Sequence, residues 1–205
     1  MTQVPESRQQ VKFYQTGTFT VGNRLLEDAR RTVQSTTERA NALDSGHRAC
    51  QGCGEALGAR YAVDAALRAA DRRLIAANAT GCLEVFTTPY PQTAWALPWI
   101  HSLFGNAPAV ASGIAAALRA KGREDIRVMA QGGDGGTTDI GIGCLSGMFD
   151  RNDDVLYVCY NNQAYMNTGV QRSSATPPAA RTATTMPVGE APGNEFGTEI
   201  GRAHV

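Results

Sequence analysis

Short apolar runs and longer stretches of small and apolar residues alternate along the chain, and the two periods mark its elements. Arg73-Leu74-Ile75-Ala76-Ala77-Asn78-Ala79 is short, apolar and closed by Thr80-Gly81-Cys82, which predicts a buried strand feeding a loop. Ile126 to Ala130 predicts the next strand, and Asp154-Val155-Leu156-Tyr157-Val158-Cys159-Tyr160 the one after that. Between them, Ala107 to Lys121 is dominated by small residues such as Ala111, Ser112 and Gly113, as suits a helix packed closely on a sheet; Thr138 to Phe149 predicts a further helix. Upstream, Glu55 to Asp71 is alanine-rich and predicts a helix with Leu57, Tyr61 and Ala65 on one face. The stretch holding Pro89, Pro91 and Pro98 is too broken by proline for a regular element before Asn106. Alternating strand and helix implies a parallel sheet with crossover helices, an α/β fold whose ligands bind at the carboxyl ends of the strands.

The ends of the chain read differently. Residues 1–45 lack a sustained period: Lys12-Phe13-Tyr14 and Phe19-Thr20-Val21 suit short extended pieces, and Arg24 to Asn41 a solvated helix, together an N-terminal arm. The composition shifts at Ser45-Gly46-His47, where an α/β domain over 46–198 is expected to begin. From Ser173 onward, Pro177, Pro178, Pro187 and Pro192 punctuate an ordered loop or wrapping tail. Ile200-Gly201-Arg202-Ala203-His204-Val205 reads as the in-frame translation of a common short-read sequencing adapter, so residues 199–205 are expected to be a non-native tail and the domain to be incomplete at its C-terminus.

Composition narrows the function classes. With 205 residues the chain suits one ordinary α/β domain. Nineteen Lys plus Arg balance nineteen Asp plus Glu, and no basic run could follow a phosphate backbone, so nucleic acid is not an expected partner. No apolar run approaches the roughly 18 residues that a membrane span needs. Met1 to Gln10 is polar, so neither secretion nor membrane insertion is expected. Five cysteines, an odd number without a signal peptide, suit a reducing, cytoplasmic setting rather than a disulfide framework. Glycine is the unusual count, 22 of 205, which marks sites of close backbone approach.

Those glycines gather in Gln131-Gly132-Gly133-Asp134-Gly135-Gly136. At a strand end they let the backbone amides of the next helix approach a phosphate. A carboxylate beside a phosphate is repelled unless a divalent cation lies between them, and Mg²⁺ takes one carboxylate with neutral and phosphate oxygens. About 25 residues on, the next strand ends in Asn161-Asn162, amide oxygens of the required kind. Gly-Asp-Gly followed at this spacing by Asn-Asn resembles the thiamine diphosphate motif. Separately, Cys50-Gln51-Gly52-Cys53-Gly54-Glu55 is compatible with zinc, with an iron–sulfur cluster, with a redox pair or with no ligand; a second closely spaced pair, which zinc would need, is absent.

Taken together, Gly46-His47-Arg48-Ala49-Cys50-Gln51-Gly52-Cys53-Gly54-Glu55, Ala79-Thr80-Gly81-Cys82, Pro98 through Asn106, the Gly-Asp-Gly block and Tyr165-Met166-Asn167-Thr168-Gly169-Val170-Gln171-Arg172-Ser173 resemble the thiamine diphosphate-binding β chains of pyruvate-type 2-oxoacid:ferredoxin oxidoreductases. The match runs from about Gly46 to about Gly197. The resemblance implies that Cys50, Cys53 and Cys82 are three ligands of a [4Fe-4S] cluster. It sets Glu55 and Cys82 beside thiamine diphosphate and makes Gly133, Asp134, Gly135 and Gly136 the diphosphate loop. It implies Asp134, Asn162 and the Ala164 carbonyl as Mg²⁺ ligands, with Gln163 and Tyr165 among the cofactor-binding residues. Asn167 becomes a catalytic residue on the loop facing substrate. Two departures stand out: Asn161-Asn162-Gln163 replaces an expected Asp-Asn-Glu, and the fourth cluster cysteine has no counterpart here.

The implied activity is oxidative decarboxylation of a 2-oxo acid to acyl-CoA and CO₂, or the reverse. Its implied partners are an α subunit, coenzyme A, a 2-oxo acid substrate and a ferredoxin-type electron acceptor. A non-oxidative thiamine diphosphate-dependent decarboxylase or carboligase component is the alternative within the class, and a zinc-stabilised module without catalysis the alternative outside it. His47 and His101 are expected to be structural, and Cys144 and Cys159 to be core residues.

Overall fold

The computed structural model describes residues 11–14, 18–21, 41–89 and 92–185. The chain divides into two compact units, 1–40 and 41–205. In the first, β1 (Val11–Tyr14) and β2 (Thr18–Val21) pair antiparallel with Val11 opposite Val21, so both expected extended pieces are strands. Most of the helix expected over Arg24 to Asn41, and the tail at 199–205, lie outside the described residues.

The second unit is an α/β sandwich. Its elements are α1 (Gly54–Ala69), β3 (Leu74–Ala79), α2 (Cys82–Thr87), β4 (Trp99–Ser102), α3 (Ala107–Ala120), β5 (Arg127–Gly133), α4 (Ile142–Asp150) and β6 (Leu156–Tyr160). The four strands pair in parallel in the order β4-β3-β5-β6; β3, β5 and β6 and their parallel pairing are what the alternation of periods predicts, and β4 is added to them. Side chains alternate across it. Leu74, Met129, Val158 and Tyr160 meet the Ala56, Ala59, Val63 and Leu67 face of α1 on one side. Ala77, Ala79, Val128 and Ala130 meet Ala107 and Ala111 of α3 on the other, where alanine on both surfaces lets helix and sheet approach closely.

Several expectations need correction. Helix α1 buries Ala56, Ala59, Val63 and Leu67, whereas Leu57 and Tyr61 stand 49% and 55% exposed. The face toward the sheet combines Ala56 and Ala59 with Val63 and Leu67, and it is not the Leu57-Tyr61 stripe. Cys82 opens helix α2 instead of sitting in a loop. The proline-broken stretch contains β4, because Pro98 precedes this edge strand, where its missing N–H is not needed, and its carbonyl accepts from Ala76 N at 2.9 Å. Strand β5 continues past Ala130 to Gly133, paired with Val158, Cys159 and Tyr160. Gly132 leaves room there for Tyr157, since a Cβ would lie 2.6 Å from Tyr157 Oη and displace it.

The helix expected to start at Thr138 is instead a wide π-helical turn, Gly135–Asp139, followed by α4. Gly141 marks the break: a Cβ there would strike the Gly136 carbonyl and come within 2.9 Å of the Gly105 carbonyl. Nor are the two remaining cysteines core residues. Cys144 is half-buried and donates to Asn106 Oδ1 at 3.6 Å, and Cys159 is exposed on the edge strand β6.

Candidate cofactor site

The chain leaves β3 to one side, toward β4, and returns through α3 to pair β5 on the other, so the strand order reverses between β3 and β5. Such a reversal opens a crevice beyond the carboxyl ends of the strands. A cavity of about 290 Å³ lies there, lined among others by Glu55, Cys82, Gly133, Asp134, Asn162 and Tyr165. Glu55 comes from the first turn of α1, Cys82 from the first residue of α2, Asp134 from the end of β5 and Asn162 from the loop after β6.

Asp134 is 2% exposed, and burial pushes its carboxyl above the usual carboxylate range against a hydrogen bond from Ser173 that pulls it down. Burial likewise raises Glu55, opposed by its hydrogen bond from Asn162. The Cys82 thiol is raised by burial and then by the charge of Glu55, while the Asn167 backbone N–H favours the thiolate.

The Asn162 amide has two readings. In one, its nitrogen points toward Glu55 Oε2 at 3.4 Å and Cys82 Sγ at 3.8 Å, which turns its oxygen onto Asp134 Oδ1 and the Ala164 carbonyl. In the other, the nitrogen faces those two oxygens, at 2.9 and 2.6 Å, and donates to both. Without a cation the second orientation is favoured, since three oxygens this close repel unless a proton or a metal lies among them. The first is the arrangement a cation would take, with a carboxylate, an amide oxygen and a backbone carbonyl converging beside the glycine turn. That is a hard donor set of the kind Mg²⁺ accepts while leaving positions for phosphate oxygens.

Close packing shapes the turn. A Cβ on Gly135 would run into the Tyr165 ring, and one on Gly136 would touch Phe104 at 3.5 Å. Tyr165 Oη donates to Asp139 Oδ2 at 2.6 Å. Thr137 Oγ1 and Thr138 Oγ1 donate to the Gly133 and Asp134 carbonyls at 2.6 and 2.9 Å, so both hydroxyls turn back onto the backbone of the turn.

Of the residues singled out from sequence, Glu55, Cys82, Gly133 to Gly136, Asn162, Ala164, Tyr165 and Asn167 all line the cavity. Gln163 does not; its side chain is exposed and its backbone is left-handed, with φ 70°. Cys50 is exposed, and Cys53 caps α1, its Sγ accepting from Ala56 N at 3.4 Å. Among the described residues no three His, Cys, Asp or Glu side chains gather as a metal-holding group, so the three cysteines stand apart here. His47 accepts from Ala49 N at 3.3 Å and packs edge-on against Phe86, and His101 hydrogen-bonds Thr80 at 2.9 Å. Sequence reasoning missed Thr176 and Asp139, and gave Ser173, the last residue of the Tyr165 motif, no role at the site. No local signal marks them, because Ser173 bonds Asp134 across 39 residues and Ser174 bonds Asp139 across 35.

A buried carboxylate, an amide and a carbonyl facing one another across a glycine turn, in a crevice at the carboxyl end of a parallel sheet, place this chain among α/β proteins built to take a diphosphate cofactor. Residues 79–195 match the family described as thiamine pyrophosphate enzyme, C-terminal TPP binding domain, and the chain belongs to that family. It is 55% identical over 148 residues to the pyruvate synthase subunit PorB of Methanothermobacter thermautotrophicus, an alignment covering 72% of this chain and 50% of that protein. It is 46% identical over 164 residues to the ketoisovalerate oxidoreductase subunit VorB of Pyrococcus abyssi, covering 78% of this chain and 51% of that one. Among solved structures, a 2-oxoglutarate:ferredoxin oxidoreductase from Magnetococcus marinus, with 2-oxoglutarate, coenzyme A and succinyl-CoA bound, matches with a TM-score of 0.60 at 28% identity, covering 73% of this chain and 48% of that one. The chain thus spans about half the length of the curated relatives it matches. No described helix is long and apolar enough to cross a membrane.

Proposed function

We propose that this chain carries the thiamine diphosphate–Mg²⁺ site of a 2-oxoacid:ferredoxin oxidoreductase β subunit. The convergence of Asp134 Oδ1, the Asn162 amide and the Ala164 carbonyl at the mouth of the cavity carries the reading. The reaction joins a 2-oxo acid and coenzyme A to give acyl-CoA, CO₂ and a proton, with two electrons passing one at a time to two ferredoxin-type acceptors, or runs in reverse. The relatives are named for pyruvate, ketoisovalerate and 2-oxoglutarate, which supports the substrate class rather than one acid.

In this reading Asp134, Asn162 and the Ala164 carbonyl hold the metal, and the glycines at 133–136 let backbone approach the diphosphate. Bound thiamine diphosphate supplies a carbon nucleophile and an electron sink for decarboxylation. Glu55, raised by burial, holds its proton to higher pH than a free carboxyl and can keep a neutral donor in the cavity. Cys82 lies on the cavity wall, and the Asn167 backbone N–H that points at its sulfur favours the thiolate that a metal or cluster would take.

A [4Fe-4S] cluster on Cys50, Cys53 and Cys82 belongs to the same proposal, supported by their free thiols and the likeness to ferredoxin-linked enzymes. The described residues do not gather these sulfurs into a metal-holding group. A cytoplasmic setting and a partner α subunit complete the reading, supported by five free thiols and by relatives named as subunits.

The test is the full chain assembled anaerobically with its partner subunits. Coenzyme A-dependent reduction of a low-potential dye by a 2-oxo acid, with about four iron and four sulfide per chain at this site, is the outcome expected for a [4Fe-4S] centre. Decarboxylation without iron would replace this reading by a non-oxidative one. Bound zinc without thiamine diphosphate binding would remove it.

A further inference from the structure

The segment 173–176 belongs to no helix or strand, yet two of its hydroxyl side chains are almost wholly buried, Ser173 at 1% and Thr176 at 2% exposure. Burying a hydroxyl is unfavourable unless it is bonded, and these two are bonded to the Asp134 carboxylate and to the backbone between Asn162 and Ala164. Ser173 Oγ donates to Asp134 Oδ2, and the same oxygen accepts from Ala175 N at 3.2 Å, which commits the hydroxyl proton to the aspartate. This leaves Oδ1 of Asp134 facing Asn162. Thr176 Oγ1 accepts from Ser173 N at 3.0 Å and donates at 2.6 Å to the carbonyl of Gln163, the residue between Asn162 and Ala164. That bond holds the peptide that joins the other two oxygens of the cluster, at a residue whose left-handed φ of 70° is uncommon for glutamine. Between the two, Ser174 N donates to both oxygens of Asp139, at 3.0 and 3.2 Å, and its hydroxyl bonds the same carboxylate, which also holds Tyr165 Oη.

We propose that Ser173 and Thr176 are positioning residues for the metal, a brace that sets the angle of the Asp134 carboxylate and the Gln163 peptide so that the Asp134 and Ala164 oxygens are in place before any cation arrives and only the Asn162 amide has to turn. The inference rests on the thiamine diphosphate–Mg²⁺ reading above and adds to it what orients the ligands. Groups that hold metal ligands in place govern affinity even though they never touch the ion, typically by about 10- to 100-fold.

The experiment titrates Mg²⁺ at saturating thiamine diphosphate into the full chain assembled with its partner subunits, by calorimetry, for the parent and for Ser173→Ala, Thr176→Val and Thr176→Ser. Unfolding temperatures without metal are measured in parallel. The brace predicts Mg²⁺ affinity about 10- to 100-fold weaker for Ser173→Ala and Thr176→Val. It predicts affinity near the parent's for Thr176→Ser, which restores the hydroxyl. If Ser173→Ala does not fold, the Thr176 pair decides alone. Parent-like affinity in Thr176→Val, or equal weakening in Thr176→Ser, overturns the brace while leaving the metal site standing. A parent chain that binds thiamine diphosphate without regard to Mg²⁺ overturns the functional reading, and the brace with it.

Discussion

Gly135 offers a test of how tightly the cofactor turn is built. A Cβ added there would run into the Tyr165 ring, and even its mildest ring contact, 2.9 Å to Cδ1, falls well inside the spacing of roughly 3.5 Å that carbon atoms prefer. In Gly135→Ala the ring must therefore move, and with it the hydroxyl that bonds Asp139 Oδ2 at 2.6 Å. Overpacking typically destabilises by about 1–3 kcal/mol. A lost hydrogen bond to a charged group contributes about 1.5–3 kcal/mol more. Tyr165 is only half-buried, which favours the low end of both ranges, a total of about 2.5–4 kcal/mol. A double-mutant cycle in equilibrium urea denaturation of the full chain isolates this coupling. In a Tyr165→Ala background the new methyl meets no ring, and Gly135→Ala should be neutral or stabilising by up to about 1 kcal/mol. An equal loss in both backgrounds, with coupling below about 0.5 kcal/mol, would refute the packing argument.

Glu55 bears on pH dependence. Its carboxyl is raised in the folded chain, so its contribution to stability is present below the unfolded value and lost as pH rises through the folded one. Glu55→Gln should flatten that fall in urea titrations of the metal-free chain from acid to neutral pH, and an unchanged profile would contradict it. The same substitution removes a charge that holds the Cys82 thiol up, so the alkylation of Cys82 by iodoacetamide should set in at lower pH. A third comparison separates the two faces of α1: Leu67→Ala should destabilise by about 2–5 kcal/mol, and Leu57→Ala, at an exposed position, by no more than about 0.5 kcal/mol. Equal losses in denaturation would contradict the observed burial.

The order of strands and helices was legible because each run carries its own period, and parallel pairing follows from the crossovers. The chemistry was legible where it is local: Gly133 to Gly136, Asp134 and Asn162 sit at strand ends that the apolar runs announce. What failed depended on tertiary context. Leu57 and Tyr61 share one stripe of α1, but the stripe that packs on the sheet is Ala56, Ala59, Val63 and Leu67, and the alanine-rich run alone does not reveal which stripe turns inward. Strand β4 hid behind Pro98 because an edge strand tolerates a proline that a central one would not. The π-helical turn is set by contacts of Gly135 with Tyr165 and of Gly141 with Gly105, which are distant in sequence. The bonds of Ser173 and Thr176 were invisible for the same reason, since a hydroxyl residue reads as loop until the group it bonds is known.

The central claim is that Asp134, Asn162 and the Ala164 carbonyl form a cation site serving a diphosphate. It is tested most directly by titrating thiamine diphosphate into the full chain by calorimetry, with Mg²⁺ and with chelator, for the parent and for Asp134→Asn. The account predicts binding by the parent that requires Mg²⁺ and is abolished in Asp134→Asn. Binding that persists in chelator, or that survives Asp134→Asn unchanged, would contradict it.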